Sequence, residues 1–477
     1  MTDMLEKITV DVAIIGAGTA GLYALREVRR AKKSFVLIDS GPLGTTCARV
    51  GCMPSKVALH IAEFWHAQQS FQRYGISGGE HLQLDTQQAW SELRRQRDVF
   101  AEGAAAGAER SAGEHLLMGR AQFMTPTLLS VERNAGGTQQ VQAQSVIIAT
   151  GSRPVVPGFL QPFAEHCITT DELFEMQELP QSMGVLGLGA IGLEMGLALA
   201  RLGVEVHGAD MADSVGGISD PEVNTHALAE FAQEMHLYLG APAELAASAQ
   251  GVSLKAGGKD IPVDKVLVAL GRRPNIDQLN LQAAGFELDE RGQPLFNPHT
   301  LQLGEHPVFI VGDVNGQRAL MHEAADEGAM AGYNAVQATP VAFKRKTAIG
   351  IAFTNPDVVS VGARFDQLDQ DTLLIGTAYT QNNGRSKVLS QHKGVLRLYA
   401  DKTSGQLLGA SMFGMRAEHV AQFLALAIER KETARSLLQV PFYHPVVEEV
   451  IQDALQAIAK HIPDAQGLPF GLQQADS

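Results

Sequence analysis

Two stretches of the chain repeat the same hydrophobic pattern. Each begins with a run of β-branched and apolar residues, 8–15 or 183–186, which predicts a buried strand and leads into a glycine-rich turn. A helical pattern follows, and then a second apolar strand at 35–38 or 204–209 that is followed by an aspartate. The order strand, glycine turn, helix, strand, acid is typical of α/β dinucleotide-binding folds, so the pattern predicts two of them.

The glycines and the acids have the same spacing in both copies. Eighteen positions separate the last glycine from the acid, the two sets being Gly16, Gly18, Gly21 with Asp39, and Gly187, Gly189, Gly192 with Asp210. Glycines let a pyrophosphate approach the helix N-terminus, and the acid accepts hydrogen bonds from ribose hydroxyls. We therefore predict that the chain binds two dinucleotides.

The rest of the chain divides into a helical stretch, strand ends and a C-terminal module. Residues 60–115 have a helical pattern whose predicted core positions are Phe64, Trp65, Ala89, Trp90, Leu93 and Phe100. Further apolar strands run into Thr150-Gly151, into Gly271 and into Gly312-Asp313. From about 345, strands with loops alternate with helices, which predicts a separate α+β module.

Two of the three cysteines, Cys47 and Cys52, lie close together in the chain. Such a pair can cycle between dithiol and disulfide and so carry two electrons. Pro54 is expected to interrupt regular helix, and the apolar pattern from Val57 predicts a helix whose N-terminus lies near the sulfurs and stabilises a thiolate. The spacing by itself leaves a structural disulfide or two inert thiols as alternatives.

Composition narrows the class of protein. The chain has 477 residues, 45% of them hydrophobic, and a net charge of −14, which argues against nucleic acid and anionic membrane surfaces as partners. Three cysteines exclude a secreted disulfide scaffold. The first residues lack the pattern of a signal peptide, and no apolar run has the ~20 residues of a spanning helix. We expect a cytoplasmic protein of about three domains.

These motifs, in this order, resemble the flavoprotein disulfide reductases over residues 8 to 460. The segment from Cys47 to Cys52, followed by Pro54-Ser55-Lys56, is most similar to the dihydrolipoamide dehydrogenases within that family. The resemblance implies an α/β fold with two Rossmann-like domains, for FAD and NAD, and a C-terminal α+β dimerisation domain. The implied bounds are 1–152 and 276–344 for the two parts of the FAD-binding domain, 153–275 for the NAD-binding domain, 345–463 for the dimerisation domain and 464–477 for a flexible tail.

The resemblance also implies which residues bind the two cofactors, and it implies no metal site. For FAD the residues are Gly16, Gly18, Gly21, Asp39, Lys56, Ala121, Thr150, Gly151, Asp313 and Met321. For the nicotinamide cofactor they are Gly187, Gly189, Gly192, Asp210 and Gly271. Because Asp210 is followed by Met-Ala-Asp and no arginine that would bind a 2′-phosphate, we favour NAD over NADP.

The implied catalytic residues are Cys47, Cys52, Lys56, Glu194, His444 and Glu449. Cys47 would exchange with the substrate, Cys52 would lie against the flavin, and Lys56 would pair with Glu194 beside it. His444 would move thiol protons and Glu449 would orient its ring. In the family this histidine reaches the cysteines of the other subunit, so the resemblance implies a homodimer.

The expected function is therefore NAD-linked oxidation of dihydrolipoamide through the Cys47–Cys52 disulfide. The protein would act alone or with the acyltransferase or lipoyl-carrier subunit of a 2-oxo-acid dehydrogenase or glycine-cleavage complex. Alternatives are a reductase of another small disulfide, as in glutathione reductase, a soluble transhydrogenase or diaphorase, and a scaffold that binds both cofactors without turnover. Departures from the family include Arg49, which replaces a common asparagine, Phe442, which replaces a common histidine, and Ala190, which replaces a bulky residue. We expect Arg49 to lower a thiol pKa or to favour an anionic substrate, unless it points to solvent or pairs with a carboxylate.

Overall fold

The computed structural model describes residues 7–249, 251–391, 393–463, 468–469 and 471–474. Most of the predicted flexible tail, 464–477, lies outside the described residues.

The described residues form strands and helices in alternation through most of the chain. The strands are β1 (Ile8–Ile15), β2 (Phe35–Asp39), β3 (Leu116–Thr125), β4 (Leu128–Arg133), β5 (Thr138–Ile148), β6 (Ser152–Pro154), β7 (Cys167–Ile168), β8 (Ser182–Leu186), β9 (Glu205–Ala209), β10 (His236–Tyr238), β11 (Glu244–Ser248), β12 (Gly251–Ala256), β13 (Lys259–Val263), β14 (Lys265–Val268), β15 (Arg272–Pro274), β16 (Val308–Ile310), β17 (Ile349–Ala352), β18 (Asp357–Gly362), β19 (Leu373–Tyr379), β20 (Val395–Asp401) and β21 (Leu407–Gly414). The helices are α1 (Thr19–Arg30), α2 (Thr46–Val50), α3 (Cys52–His66), α4 (Thr86–Ala112), α5 (Thr170–Leu173), α6 (Ala190–Arg201), α7 (Pro221–Phe231), α8 (Met321–Asn334), α9 (Gly384–Val388), α10 (Ala417–Glu429), α11 (Ala434–Leu438) and α12 (Glu449–Ala459).

The first of two compact units contains residues up to 54, 91–155 and 271–345. In its sheet, β1 lies between β2 and β5, and β16 lies beside β5, all parallel, while β3, β4 and β5 form an antiparallel meander. Val12 and Ile14 of β1 pack on one face, and Ala13 and Ile15 on the other. Because both faces are covered there, residues 12–15 form a continuous apolar run rather than an alternating one.

Helices α1 and α8 pack closely on one face of this sheet. Their backbones approach at Gly328, where an added Cβ would lie 2.2 Å from the Ala20 carbonyl oxygen, and at Gly332, where it would lie 2.5 Å from that of Ala24. This close packing fixes the helix that follows the first glycine turn, because any larger side chain on α8 would push the two helices apart.

The second unit contains residues 55–90, 156–270 and those from 346 onward. Its parallel sheet has the order β10-β9-β8-β14-β7, and β11, β12 and β13 form a small antiparallel sheet. The C-terminal part is an antiparallel sheet of order β17-β18-β21-β20-β19, whose apolar side chains pack with those of α10, α11 and α12. This mixed module agrees with the α+β prediction from about 345.

A buried aspartate ties this C-terminal sheet to α7 of the same unit. Asp220 caps α7 by accepting hydrogen bonds from the backbone N–H groups of Glu222 and Val223. It also accepts from the Tyr399 hydroxyl at 2.7 Å and from Arg397 at 3.0 Å, both on β20. A fully buried carboxylate is stable here because all of these groups donate to it.

Two local predictions are wrong. Phe64 and Phe100, predicted in the core, are 81% and 41% exposed, whereas Trp90 and Leu93, predicted with them, are fully buried. Pro54 does not interrupt a helix, since α3 already begins at Cys52. Proline is tolerated there because the first-turn N–H groups of a helix have no intrahelical partner. The stretch 60–115 is helical as predicted in α3 and α4, with short turns between the two helices.

Candidate active site and dinucleotide sites

The first glycine turn joins β1 to α1 in the first unit. Gly16 has a φ of +113°, and an added Cβ would lie 2.2 Å from the Ala149 carbonyl oxygen. A Cβ added at Gly21 would lie 1.9 Å from the Gly16 carbonyl oxygen, whereas Gly18 has open space within 4 Å. The outer two glycines therefore permit the tight turn, and the middle one leaves room for a ligand over the helix N-terminus.

Asp39 ends β2 and holds this turn with both carboxylate oxygens. Oδ2 accepts a hydrogen bond from Ala17 N at 2.7 Å, and Oδ1 accepts one from Gly41 N at 2.6 Å. Each oxygen keeps a further lone pair, so the carboxylate can still accept hydrogen bonds from a ribose. The structure thus places this predicted acid beside the glycine turn.

A cavity of about 650 Å³ opens at this end of the sheet, entirely within the first unit. Its lining includes the predicted Gly16, Gly18, Asp39, Ala121, Thr150 and Gly151. Two hydrogen bonds join Thr150 to Asn275. The Thr150 hydroxyl donates to the Asn275 backbone carbonyl at 2.8 Å, and Asn275 Nδ2 donates to the Thr150 backbone carbonyl at 3.0 Å. The volume, the open space over Gly18 and the carboxylate of Asp39 beside the turn fit the ADP half of FAD.

Asp313 and Met321 are not among the residues that line this cavity. Asp313 lies in the turn Gly312–Asn315 and accepts a hydrogen bond from the Ser152 hydroxyl at 2.8 Å. That hydroxyl in turn accepts from Arg272 Nε at 2.8 Å. Met321 is the first residue of α8 and is half exposed.

The two cysteines lie on consecutive short helices. Cys47 is half-buried in α2, and Cys52 is the exposed first residue of α3. Gly51 separates the helices, and an added Cβ would lie 3.3 Å from Cys47 Cα, so a side chain there would crowd the first cysteine. The predicted helix N-terminus is therefore present at the second cysteine, where the helix dipole favours a thiolate.

Lys56 and Glu194 form an ion pair within the second unit. Lys56 Nζ lies 2.9 and 2.7 Å from the two Glu194 oxygens, although 138 positions separate the residues. Glu194 Oε1 also accepts from Phe353 N at 2.9 Å, and Lys56 Nζ lies 4.6 Å from the centre of the Phe353 ring. Because Glu194 is buried, it is not a solvated helix residue, and the predicted pairing is present.

The second glycine turn, between β8 and α6, has the same geometry as the first. Gly187 has a φ of +90°, and an added Cβ would lie 2.5 Å from the Ala269 carbonyl oxygen, whereas Gly189 has open space within 4 Å. Asp210 accepts from Leu188 N at 2.6 Å and from Ala212 N at 2.9 Å. The two predicted dinucleotide turns therefore share one hydrogen-bond pattern.

The two remaining predicted glycines for the nicotinamide cofactor lie in different units. Gly192 follows in α6, where an added Cβ would lie 1.9 Å from the Gly187 carbonyl oxygen. Gly271 belongs to the first unit, has a φ of +95°, and its carbonyl accepts a hydrogen bond from Val155 N at 3.0 Å.

His444 and Glu449 are in contact in the second unit. His444 Nδ1 lies 2.9 Å from Glu449 Oε1, and the other oxygen accepts from Val446 N at 3.0 Å. Burial raises the pKa of Glu449, but the hydrogen bonds from His444 and Val446 outweigh it, so the pKa lies below its ordinary value. Glu449 is the first residue of α12. The His444 side chain is 75% exposed.

One cluster of metal-binding residue types was not predicted. Glu205, His207 and His236 meet at the edge of the parallel sheet, with ligand atoms within 4.8 Å of one another. The two imidazole rings are stacked, 4.7 Å apart and inclined by 12°. Because the lone pair of an imidazole lies in the ring plane, nearly parallel rings do not direct both nitrogens at one ion, and the cluster as it stands is not a metal centre.

Sequence reasoning missed several residues that hold the predicted ones in place. Ser152 and Arg272 position Asp313, and Phe353 completes the surroundings of Glu194. Arg272 directly follows Gly271, which the sequence did predict as a site residue, so its position near the site had a local signal. The contact with Phe353 has no local signal, because it joins residues far apart in the chain.

Comparisons with known proteins agree with the fold and the motifs. Residues 10–328 match the family model described as pyridine nucleotide-disulphide oxidoreductase, and residues 349–455 match the dimerisation domain of that family. The family model covers both glycine turns and the cysteines. The second match supports a homodimer.

Curated relatives cover nearly the full length. The chain is 28% identical over 466 residues to a dihydrolipoyl dehydrogenase of Trypanosoma brucei brucei, covering 94% of this chain and 96% of the relative. It is 29% identical over 470 residues to a dihydrolipoyl dehydrogenase of Halobacterium salinarum, with the same two coverages.

Solved structures share the fold. The Cu(II) complex of the HOCl-induced flavoprotein disulfide reductase RclA from Escherichia coli has a TM-score of 0.82 at 21% identity, over 95% of this chain and 99% of that one. LpdA from Mycobacterium tuberculosis has a TM-score of 0.82 at 22% identity, over 94% and 99%. The predicted α/β architecture with a C-terminal dimerisation domain is confirmed. No helix in the described part of the chain is long and apolar enough to cross a membrane.

Proposed function

Because the chain belongs to the pyridine nucleotide-disulphide oxidoreductase family, whose cofactors are FAD and NAD, we propose that it is a dihydrolipoyl dehydrogenase. The observation that carries this proposal is the cysteine pair on α2 and α3, within a chain that resembles dihydrolipoyl dehydrogenases over nearly its full length. The small-molecule substrate would be dihydrolipoamide, free or on a lipoyl-carrying subunit of a 2-oxo-acid dehydrogenase or glycine-cleavage complex.

In the proposed reaction, a substrate thiolate attacks Cys47 of the Cys47–Cys52 disulfide and Cys52 leaves as a thiolate. The second substrate thiol then displaces Cys47, which releases lipoamide and leaves both cysteines reduced. Bound FAD supplies a two-electron carrier between this thiol pair and NAD. Overall, dihydrolipoamide loses two electrons and two protons, NAD⁺ gains two electrons and one proton, and one proton is released.

His444 would take and return the thiol protons. With Glu449 accepting the Nδ1 proton, Nε2 is the unprotonated nitrogen and is positioned to act as a base. The lowered pKa of Glu449 keeps its carboxylate charged at neutral pH, which favours this tautomer and stabilises the imidazolium that forms. We propose that this histidine serves the cysteines of the second subunit of a homodimer.

The test is a steady-state assay with dihydrolipoamide and NAD⁺ or NADP⁺, and with NADH or NADPH against lipoamide, glutathione disulfide and mercuric ion. We expect turnover with dihydrolipoamide and NAD⁺, and Cys47→Ser is expected to abolish it while the protein retains bound FAD. Cys167→Ser is the matched control, because burial raises the pKa of the Cys167 thiol and its loss should leave activity intact. Full activity in Cys47→Ser would refute the role of the cysteine pair, and preference for glutathione disulfide would identify a different disulfide reductase.

A further inference from the structure

The Arg49 guanidinium has no carboxylate partner among the described residues. Its side chain is half-buried and lines the 650 Å³ cavity of the first unit. Nη1 makes one long hydrogen bond, 3.4 Å, to the Pro42 carbonyl, and the Arg49 carbonyl accepts from Arg97 at 3.2 Å. The stem lies over Gly44, where an added Cβ would be 3.1 Å from Arg49 Cδ. The side chain is therefore packed along the cavity wall.

No carboxylate among the described residues lies within ion-pair distance of this guanidinium. Of the other arginines that line this cavity, Arg153 and Arg273 are both paired with Asp277, and Arg120 is exposed to solvent rather than half-buried. Removing a cation partly from water without a counter-ion costs free energy. An unpaired, half-buried guanidinium on the wall of a polar cavity is therefore arranged for an anion that enters the cavity.

We infer that Arg49 binds the pyrophosphate of FAD. This inference rests on the proposal that the cavity holds FAD. The same cavity contains the glycine turn at the N-terminus of α1, where phosphate is favoured by free N–H groups and the helix dipole. A guanidinium can donate two parallel hydrogen bonds to phosphate oxygens and carries a positive charge. The asparagine that is common at this position in the family is neutral. Arg49 thus serves cofactor retention rather than activation of the neighbouring thiol.

The test measures cofactor binding by the full-length protein after FAD has been removed. Wild type, Arg49→Gln and Arg49→Lys are titrated with FAD by quenching of flavin fluorescence, and ADP and adenosine are then used as competitors. Loss of a charge-assisted hydrogen-bonded pair is expected to weaken FAD and ADP binding by about 10- to 100-fold. Adenosine, which lacks phosphate, is expected to bind equally, and Arg49→Lys should recover part of the loss. Arg29→Gln, which removes an exposed cation at the far end of α1, is the matched control and should bind all three ligands as wild type does.

Two results would overturn the inference. Equal weakening of ADP and adenosine would mean that the variant merely distorts the cavity. Unchanged FAD and ADP binding, together with a raised pKa of thiol reactivity toward an aromatic disulfide reagent, would mean that Arg49 acts on Cys47 instead. Cofactor binding and thiol reactivity are both measured without lipoamide turnover. The test of Arg49 therefore remains valid even if dihydrolipoamide is not the substrate.

Discussion

Glu327 is the centre of a buried hydrogen-bond network in the first unit. Its side chain is 1% exposed, and Oε2 accepts from Gly312 N at 2.7 Å and from Asn315 Nδ2 at 2.6 Å. Arg345 donates to the other oxygen. These bonds fix the turn that carries Asp313, which we propose binds the ribityl chain of FAD. Glu327→Gln is therefore expected to weaken both the fold and the flavin site.

The size of the stability loss in Glu327→Gln depends on the hydrogen bonds that the new amide cannot make. Burial raises the pKa of Glu327, and the donors together with Arg345 oppose that rise, so the ionised network adds little net stability by itself. Replacing only the Glu327 carboxylate is different, because the amide NH₂ of glutamine is itself a donor. It would face either Arg345 or the two donors on the turn, and neither can accept its hydrogen bonds. Breaking a buried pair in this way costs ~3–5 kcal/mol. We expect about 3 kcal/mol, the lower end, because Arg345 keeps a second partner, Glu323, at 3.0 Å.

The assay is thermal unfolding of the FAD-loaded protein, followed by circular dichroism and by release of flavin fluorescence. At ~2–4 °C per kcal/mol for a unit of this size, the midpoint should fall by roughly 6–12 °C. Glu290→Gln removes an exposed carboxylate from the same unit and should shift the midpoint by less than about 2 °C. In a double-mutant cycle, adding Arg345→Met to Glu327→Gln should cost less than the sum of the two changes. A fall no larger than that of the control would refute the reasoning.

Three further changes test other parts of the molecule. Asp210→Ala should raise the KM for NAD⁺ by about 10- to 100-fold with little effect on the KM for dihydrolipoamide, because the ribose loses its acceptor. Glu449→Gln should lower kcat by roughly 10- to 100-fold and shift the pH–rate profile, since His444 loses the anion that holds its tautomer; unaltered kcat would contradict this. Burial, and then a hydrogen bond with Glu418, raise the pKa of Asp357 from 3.8 to about 9. The folded protein therefore keeps a proton that the unfolded chain loses, so stability falls as pH rises from about 4 to about 9. Asp357→Asn should flatten that fall in thermal midpoints, and an unchanged slope would exclude Asp357 as its source.

The dinucleotide turns could be read from the sequence because their requirements are local. A tight turn with positive φ needs glycine at 16 and 187, and the acid lies at the end of the next strand, where parallel pairing brings it back beside the turn. The position of Cys52 at a helix N-terminus was predicted for the same reason. Helix α3 begins earlier than predicted, because Pro54 lies in its first turn, where proline does not break a helix.

By itself, then, the sequence determined the repeated strand–turn–helix units, the helix N-terminus near Cys52 and the C-terminal α+β module, since backbone conformation and hydrophobic period are set by residues a few positions apart. Only the tertiary structure decided which surfaces were covered and which charges met. Helical periodicity marks an apolar face but not its partner, so Phe64 and Phe100 were misplaced. In the same way, the network around Glu327 and the lack of a carboxylate partner for Arg49 among the described residues depend on which segments the folded chain brings within hydrogen-bond distance, and no local pattern encodes that distance.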